Sequence, residues 1–237
     1  MNVYPVNAFE GATLQSPQRS SHSVLADIVN RYLNFTVDFN EKDIAINGGW
    51  SGLVEADTFI IANTNTKSGF LRLWKNNEEV FSSDFETENY INIIKLGKKY
   101  EFDRFDSAFS ADENVYISLI WIGNEWQLPR FVTLPTKHLQ LRNEGGRTFT
   151  GQVTGIPVET LKTFACSFVR INNKEMKIIE DYIHGVQTII PHVIDPYPEA
   201  HEEFEPFFAT VTEYSEKEKR AENGFNWNFS IGWQEAK

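Results

Sequence analysis

The chain has 237 residues, 41% of them hydrophobic and 14% aromatic, which is enough for one large β domain or two ordinary ones. Its formal net charge of −11 argues against nucleic acid as a main partner, because phosphate binding needs a basic surface. The single cysteine, Cys166, rules out an intramolecular disulfide, and no stretch approaches the roughly 20 apolar residues that span a bilayer. We therefore expect a protein that is made in a reducing cytoplasm and has no membrane partner.

The first 33 residues are polar and irregular, and this pattern predicts an extended N-terminal arm over residues 1–33. Val24, Leu25, Ile28 and Tyr32 recur near helical spacing, which allows a short helix close to the end of that arm.

Residues 34–126 predict a β-sandwich of the jelly-roll type, because short apolar segments are separated by turn signals at roughly 8–12-residue intervals. The segments 34–39 and 70–74 alternate apolar and polar positions, as strands with one buried face do. The compact apolar run 56–62 is suited to a core strand. Further strands are expected at 90–94 and 115–122.

A boundary near residue 127 precedes a second β-rich, sandwich-like domain over residues 127–237, with a single α-helix packed on its sheet. Asn172 and Glu175 form a capping-box pair that starts this helix at residue 173, and Gly185 is the expected left-handed stop after residue 184. The apolar helix face consists of Met176, Ile179 and Ile183. Strands are expected at 131–134, 139–141, 148–153, 161–169, 186–190, 207–214 and 225–233, with a turn at 143–146.

The C-terminal half also holds a group of potential metal ligands, whose spacings match no compact motif such as HExxH. His184 at the helix end is explained by its favourable interaction with the helix macrodipole. The chain has no Gly-x-Ser-x-Gly nucleophile elbow and no phosphate-binding glycine loop, and Cys166 lies in an apolar run. We therefore predict no catalytic, cofactor or metal site and no enzymatic activity. The potential ligands are His184, His192, Asp195, His201, Glu202 and Glu203.

Carbohydrate binding is an alternative function that the aromatic residues and the asparagine-rich loops suggest. An exposed tryptophan can stack on a sugar ring, and neighbouring amides can bond its hydroxyls. The predicted sugar-binding residues are Trp50, Trp74, Asn63 and Asn65, and Trp126 is a further candidate. Each of these tryptophans is equally suited to a core or an interface.

Two regions of the chain resemble components of long-tailed bacteriophage tails. The segment Trp-Ile-Gly-Asn-Glu-Trp-Gln-Leu-Pro-Arg-Phe at 121–131, the Gly-Gly-Arg turn at 145–147, the strand at 150–155 and Asp-Pro-Tyr-Pro at 195–198 resemble distal-tail and baseplate proteins. The helix and the closing strand at 227–234 fit the same pattern. The segments 35–39 and 57–65 are similar to the galactose-binding-like sandwiches that such proteins carry. Together these regions cover roughly two-thirds of the chain.

The resemblance implies a virion component at the tail tip, assembled in the host cytoplasm. It implies a closed ring of identical subunits, often six, in contact with tail tube and hub proteins. A closed ring satisfies heterologous contacts without runaway polymerisation. Two hypotheses therefore stand: a structural ring subunit of a phage tail tip, and a carbohydrate-binding module for host-surface recognition. The two are compatible if one domain assembles while the other contacts a glycan.

Overall fold

The computed structural model describes residues 1–18, 24–29, 36–129, 136–147, 153–187, 190–199, 205–221 and 224–236. The chain divides into two compact units. The N-terminal unit comprises Asn2–Trp126 with Asp195–Pro206, and the C-terminal unit comprises Gln127–Ile194 with Phe207–Ala236. The prediction of a mainly β fold with a single α-helix is confirmed for the described residues, and the expected strand at 131–134 lies outside them.

Most of the described residues belong to β-strands, which vary widely in length. The strands are β1 (Asn2–Tyr4), β2 (Thr13–Gln15), β3 (Val37–Asp38), β4 (Asp43–Thr64), β5 (Ser68–Lys75), β6 (Glu78–Glu86), β7 (Ile91–Ser110), β8 (Tyr116–Gly123), β9 (Trp126–Gln127), β10 (Thr136–Arg147), β11 (Val153–Ile171), β12 (His192–Asp195), β13 (Phe207–Ala221) and β14 (Gly224–Glu235). The helix α1 spans Asn173–Val186, and two 3₁₀ helices span Ala8–Gly11 and Leu25–Val29. No helix of the described chain combines the length and the hydropathy needed to cross a membrane.

The N-terminal unit is built on one bent sheet in the order β3-β8-β4-β7-β5-β6, with β2 against β4. The pairing of β4 with β7 shifts register between Gly49 and Val54 and again between Ala56 and Thr58. Such bulges bend strands, so the two long strands take part in both halves of the sheet. Residues 43–49 of β4 pair with β2 and β7, whereas residues 58–64 pair with β7 and β8. The core is enclosed between these halves: it contains Ile46 and Phe105 from the first, and Phe59 and Ile120 from the second.

The N-terminal segment differs from the predicted extended arm. Phe9 and Ile28 are fully buried and belong to the core of the N-terminal unit. The Asn7 side chain forms two hydrogen bonds with the backbone of β8. Its Nδ2 donates to Ile120 O at 3.1 Å, and its Oδ1 accepts from Ile122 N at 3.1 Å. Phe9 is an isolated apolar residue in a polar segment and shows no strand or helix period, so the sequence pattern does not indicate its burial. Ile28 lies at the helical spacing predicted for residues 24–32 and belongs to the 3₁₀ helix Leu25–Val29.

The C-terminal unit contains β10, β11, β14, β13 and β12 as consecutive antiparallel strands of one sheet. Helix α1 contacts β13 and β14. The predicted capping box is present, with Asn172 Oδ1 accepting from Lys174 N and Glu175 N, and Glu175 Oε2 accepting from Asn172 N at 2.8 Å. The predicted apolar face is buried as well. The buried residues of the helix are Met176, Ile179, Tyr182, Ile183 and Val186.

Three local predictions in the C-terminal unit are corrected by the structure. The helix does not end at Gly185 but continues through Val186, and Gln187 is the left-handed residue, with φ 48° and ψ 28°. The expected strand at 186–190 is therefore absent from its described residues, and the strand in this region is β12. The expected turn at 143–146 lies inside β10, which pairs with β11 as far as Arg147.

Candidate functional site

Trp50 is a packing residue of the N-terminal unit. Its ring stacks on Phe9 at 5.7 Å between centroids and meets Phe102 edge-on at 5.2 Å. Its indole Nε1 donates to Ala8 O at 2.7 Å, so both the apolar and the polar part of the side chain are engaged. Trp50 thereby anchors the first 3₁₀ helix, and its half-buried ring is engaged in packing on Phe9.

The two asparagines predicted to bind sugar lie at one end of the bent sheet and stabilise its loops. Asn63 Nδ2 donates to Ser118 Oγ at 2.7 Å. Asn65 bridges the loop before β8, since its Nδ2 donates to Asn114 O at 2.9 Å and its Oδ1 accepts from Tyr116 N at 2.9 Å. Both amides are therefore occupied by the protein itself.

Trp74, in contrast, lies on the outer face of the sheet, as the alternation of β5 requires. Leu71 and Leu73 are fully buried, so Phe70, Arg72 and Trp74 lie on the opposite face of the strand. Arg72 is exposed, and the two aromatic side chains are half-buried. The neighbours of Trp74 on this face, Phe70 and Arg72, were not among the predicted site residues. The alternation of residues 70–74 in the sequence nevertheless indicates that the three side chains share one face.

Two arginines stack on the aromatic residues of this face. The Arg72 guanidinium carbon lies 5.0 Å from the centroid of the Phe70 ring. Arg104 is directly opposite Trp74 in β7, and its guanidinium carbon lies 4.7 Å from the Trp74 ring. Arg72 also forms a long ion pair with Glu79 of β6, at 3.9 Å. Phe70, Arg72, Trp74 and Arg104 are called the β5 stripe below.

The four predicted sugar-binding residues do not come together. Ser68 begins β5 opposite Ser110, and Trp74 lies six positions further along, opposite Arg104. At about 3.3 Å per strand residue, Trp74 is about 20 Å from the strand end. Asn65 lies three residues before Ser68, at that same end of the sheet.

A cleft opens at the strand ends of β4, β5, β6 and β7 and is called the strand-end cleft. Its volume is about 860 Å³, and Phe70 of the β5 stripe forms part of its wall. Asp43, Asp84 and Glu86 supply carboxylates, and Ser110 Oγ donates to Asp43 Oδ1. The buried Ile44, Phe85 and Phe109 add apolar surface. The residues of the cleft come from four strands that are distant in the sequence, so no local sequence motif indicates the cleft.

The close approach of β5 to its neighbours shapes this cleft. A Cβ atom added at Gly69 would lie 2.4 Å from Ala108 O and 2.6 Å from the Phe85 ring. Only glycine therefore fits where the strand end packs against β7 and the buried ring.

A separate polar cluster joins Tyr4, Lys95 and Glu125. Lys95 Nζ donates to Tyr4 OH at 2.7 Å and also to Glu125 Oε2, and it lies 4.8 Å from the centroid of the Tyr4 ring. Burial lowers the pKa of Lys95 and raises the pKa of Tyr4. The Tyr4 ring meets the buried Trp121 edge-on at 5.5 Å, so the cluster anchors β1 within the N-terminal unit.

The potential metal ligands of the C-terminal half are not gathered in the described residues. His192 is buried and bonded to Tyr182 and to Ile190 O, whereas His184 is exposed on α1. No group of three histidine, cysteine, aspartate or glutamate side chains within the described ranges is arranged to hold a metal ion. Asp195 is buried at the end of β12. The other three candidates, His201, Glu202 and Glu203, lie outside those ranges.

No family model matches the chain, and no curated protein matches it. Similar solved structures include a Streptococcus pneumoniae fucose-binding module, at 13% identity and a TM-score of 0.43, covering 49% of this chain and 96% of the module. The family 32 carbohydrate-binding module of Clostridium perfringens NanJ, solved with galactose, is 8% identical with a TM-score of 0.42, covering 52% of this chain and 98% of the module.

A Ruminococcus gnavus GH29 fucosidase, solved with fucose, is 8% identical with a TM-score of 0.45. The match covers 52% of this chain but only 27% of the fucosidase. A likeness of this degree carries no information about the ligand of the present chain.

Proposed function

We propose that the N-terminal unit binds carbohydrate, and that the β5 stripe is its binding surface. The observation that carries the proposal is the pair Phe70 and Trp74, two aromatic rings on the outer face of one strand, each backed by a stacked guanidinium. The accessible parts of these half-buried rings suit the apolar faces of sugar rings, and guanidinium N–H groups suit their hydroxyls.

The spacing of the two rings favours a chain of sugars over a single one. Phe70 and Trp74 are four positions apart in β5, which is about 13 Å along an extended strand. One pyranose ring is too short to reach both aromatic residues. An oligosaccharide lying along β5 would contact Phe70, Arg72 and Trp74 in turn, with Arg104 reaching it from β7.

The stacking of the arginines also prepares the surface for binding. A guanidinium held over an aromatic ring loses less conformational freedom when a ligand arrives than a free side chain would. The neighbouring β6 and β7 strands present Glu79 and Asp106 across from the stripe as hydrogen-bond acceptors. Donors and acceptors thus flank both rings, as recognition of a polyol requires.

We further propose that the chain acts by binding alone. Burial raises the pKa of the Cys166 thiol to about 12, which leaves it without nucleophilic character at neutral pH. His192, the buried histidine, is engaged on both ring nitrogens.

The test is a glycan array followed by calorimetric titration of the best ligand. We expect Phe70→Ala to weaken binding at least about tenfold, the loss typical of an aromatic anchor. Tyr90→Ala is the matched control, since Tyr90 is an exposed aromatic residue (57% accessible) away from the stripe. The glycan affinity of this variant should equal that of the wild type. A full array without any binding glycan would contradict the proposal.

A second candidate function, a structural subunit of an assembly, is supported by the C-terminal unit. Strand β14 pairs with β11 only between Thr163 and Ile171. Residues 139–147 of β10 and 153–162 of β11 pair with each other, and among the described strands of this unit no third strand joins them. A two-stranded ribbon is marginally stable in water, so this one gains most by packing against another molecule.

The resemblance to distal-tail and baseplate proteins supports the same candidate. Under it the chain is a virion subunit at the tail tip, forming a ring with copies of itself, possibly six of them as in the family, and contacting tube and hub proteins. The N-terminal unit would then present its glycan-binding surface to the host. Both candidates can hold for one molecule, because they use different units.

Solution mass measurement and electron microscopy of the purified chain test the assembly candidate. We expect ring-sized particles whose population rises with concentration. A variant in which residues 144–156 are replaced by a tight turn should fold, with Cys166 still protected from thiol reagents, but should stay monomeric. A wild-type chain that remains monomeric at high concentration, and in the presence of tail proteins, would contradict it.

A further inference from the structure

We propose that the glycan-binding surface extends across the sheet from the β5 stripe, and that its ligand is a neutral oligosaccharide with a branch. The branch lies on four outward side chains that cross strands β5, β7, β4 and β2 in one line. These side chains are Arg72, Asp106, Asn47 and Gln15, and they are called the crossing row below. The inference rests on the proposed carbohydrate-binding function and adds to it the shape and the charge of the ligand.

The register of the strands aligns the crossing row. Arg72 is directly opposite Asp106, Asp106 is opposite Asn47, and Asn47 is opposite Gln15. Residues that are directly opposite in a sheet project from the same face. Ile46, the neighbour of Asn47 in β4, is fully buried in the core, so alternation turns Asn47 to the outer face. The row therefore begins within the β5 stripe, at Arg72, and continues away from it on the same face.

The three side chains that β7, β4 and β2 add to the row are available to a ligand. Asn47 and Gln15 are exposed, and Asp106 is half-buried. None of the three forms a side-chain hydrogen bond or an ion pair with another residue that the structure describes. They differ in this from Asn63 and Asn65, whose amides are bonded within the protein. Two amides and one carboxylate supply both donors and acceptors, which recognition of sugar hydroxyls requires.

Small residues flank the crossing row on β7 and β4. On the side towards the strand-end cleft, the outward residues are Ala108 and Ala45, which are opposite each other and line that cleft. On the other side, Gly49 occupies the next outward position of β4. These small residues leave the row open, so the hydroxyls of a sugar can reach Asn47 from above the sheet.

The sheet gives the row a direction and a length. Strand β6 is the last strand on one side of β5, whereas β7 and β4 follow on the other side, with β2 against β4. Three interstrand steps of about 4.8 Å separate Arg72 from Gln15, which is about 14 Å. This length suits a short branch better than a single sugar. The row crosses the strands, whereas the stripe runs along one of them, so a straight chain follows only one direction and a branched chain follows both.

The charges of the row and the stripe favour a neutral ligand. The row contains one cation, Arg72, and one anion, Asp106, which are directly opposite each other. Arg72 also forms its long ion pair with Glu79 on the other side. An anionic sugar would lie beside these two carboxylates, and a cationic sugar would lie against the guanidinium groups of Arg72 and Arg104. A neutral glycan avoids both repulsions and can use all of these groups as hydrogen-bond partners.

Pairs of neutral glycans that share one linear chain test the branch. Lacto-N-neotetraose is linear, and lacto-N-neohexaose adds a disaccharide branch to the same chain; this pair and others of its kind are compared by array and calorimetry. We expect the branched member of a bound pair to bind about tenfold more tightly, as one or two additional hydrogen bonds allow. Equal affinity within every pair, or binding restricted to charged glycans, would overturn this inference alone. Absence of binding by any glycan would overturn the proposed function as well.

Substitution of the two amides tests whether the crossing row holds the branch. The double variant Asn47→Ala and Gln15→Ala should bind the branched glycan only as tightly as the linear one. Asn114→Ala is the matched control, since it removes an exposed amide from the loop before β8, and it should keep the preference. A double variant that retains the full preference would overturn the assignment of the branch to the crossing row.

Discussion

The Tyr182 hydroxyl lies 2.5 Å from His192 Nε2, which joins helix α1 to strand β12 in the C-terminal unit. His192 Nδ1 is 2.9 Å from Ile190 O, and a carbonyl only accepts, so Nδ1 carries the proton and Nε2 accepts from Tyr182. The same hydroxyl accepts from Trp233 Nε1 at 2.8 Å. A single buried oxygen therefore connects the helix to two strands of the sheet.

Removal of that oxygen should destabilise the C-terminal unit. Tyr182→Phe leaves His192 Nε2 and Trp233 Nε1 buried without this partner, and we expect a loss of about 1–3 kcal/mol in the free energy of unfolding. Urea denaturation, monitored through the reactivity of the Cys166 thiol, measures this loss of unfolding free energy. Tyr214→Phe is the control: its side chain is 54% accessible, and its effect should stay below about 0.5 kcal/mol. Equal stability of the two variants would contradict the network.

The buried thiol predicts how stability depends on alkaline pH. Burial raises the pKa of Cys166 from 9.0 to about 12. Below about pH 9 the thiol is neutral in both states and its contribution is fully present; as pH rises towards 12, only the unfolded chain ionises and the contribution is lost. At pH 11 we expect the loss to reach about 2–3 kcal/mol.

Cys166→Ala tests this dependence. The variant should be less stable than the wild type at neutral pH because of the lost volume, yet its unfolding free energy should fall less between pH 9 and 11. Denaturation curves at a series of pH values give both quantities. Parallel curves for the two proteins over that range would show that the thiol is not the titrating group.

The helix cap offers a third test. Asn172→Ala removes the oxygen that accepts from Lys174 N and Glu175 N, at 2.9 and 3.1 Å, and should cost about 1 kcal/mol. Glu180→Ala, an exposed change on the solvent side of the same helix, should cost much less. Thiol protection of Cys166 again reports the stability of this unit. A cost of zero for Asn172→Ala would show that the capping box contributes nothing.

The helix shows which features the sequence determines locally. Its start was predictable because Asn172 and Glu175 are neighbours in the chain and cap each other directly. Its end was not, because Gly185 was outweighed by the burial of Val186. Burying a valine side chain contributes about 1.5–3 kcal/mol, more than the roughly 1–2 kcal/mol that a left-handed Gln187 costs.

The candidate site was predictable only where one strand determines it. Alternation over residues 70–74 places Phe70 and Trp74 on one face, and the sequence analysis singled out Trp74. Composition could not separate Trp74 from Trp50, because both side chains are half-buried and only their contacts in the fold distinguish them. Arg104 and the cleft carboxylates come from other strands, so their position depends on pairing at long range.

Trp50 should therefore respond to substitution as a structural residue. Trp50→Phe keeps a ring against Phe9 but loses the hydrogen bond to Ala8 O, and we expect it to reduce the unfolding free energy by about 1 kcal/mol. Its glycan affinity should equal that of the wild type. Thermal or urea denaturation and calorimetry on the same preparation separate the two effects, and a stable variant that no longer binds would assign Trp50 to the site.

Calorimetric titration of the best array ligand into Trp74→Ala is the most direct measurement of the central claim, that the β5 stripe binds carbohydrate. The account expects Trp74→Ala to lose at least about tenfold in affinity while Trp50→Phe, titrated in parallel, retains it. A folded Trp74→Ala variant that binds the glycan as tightly as the wild type would contradict the claim.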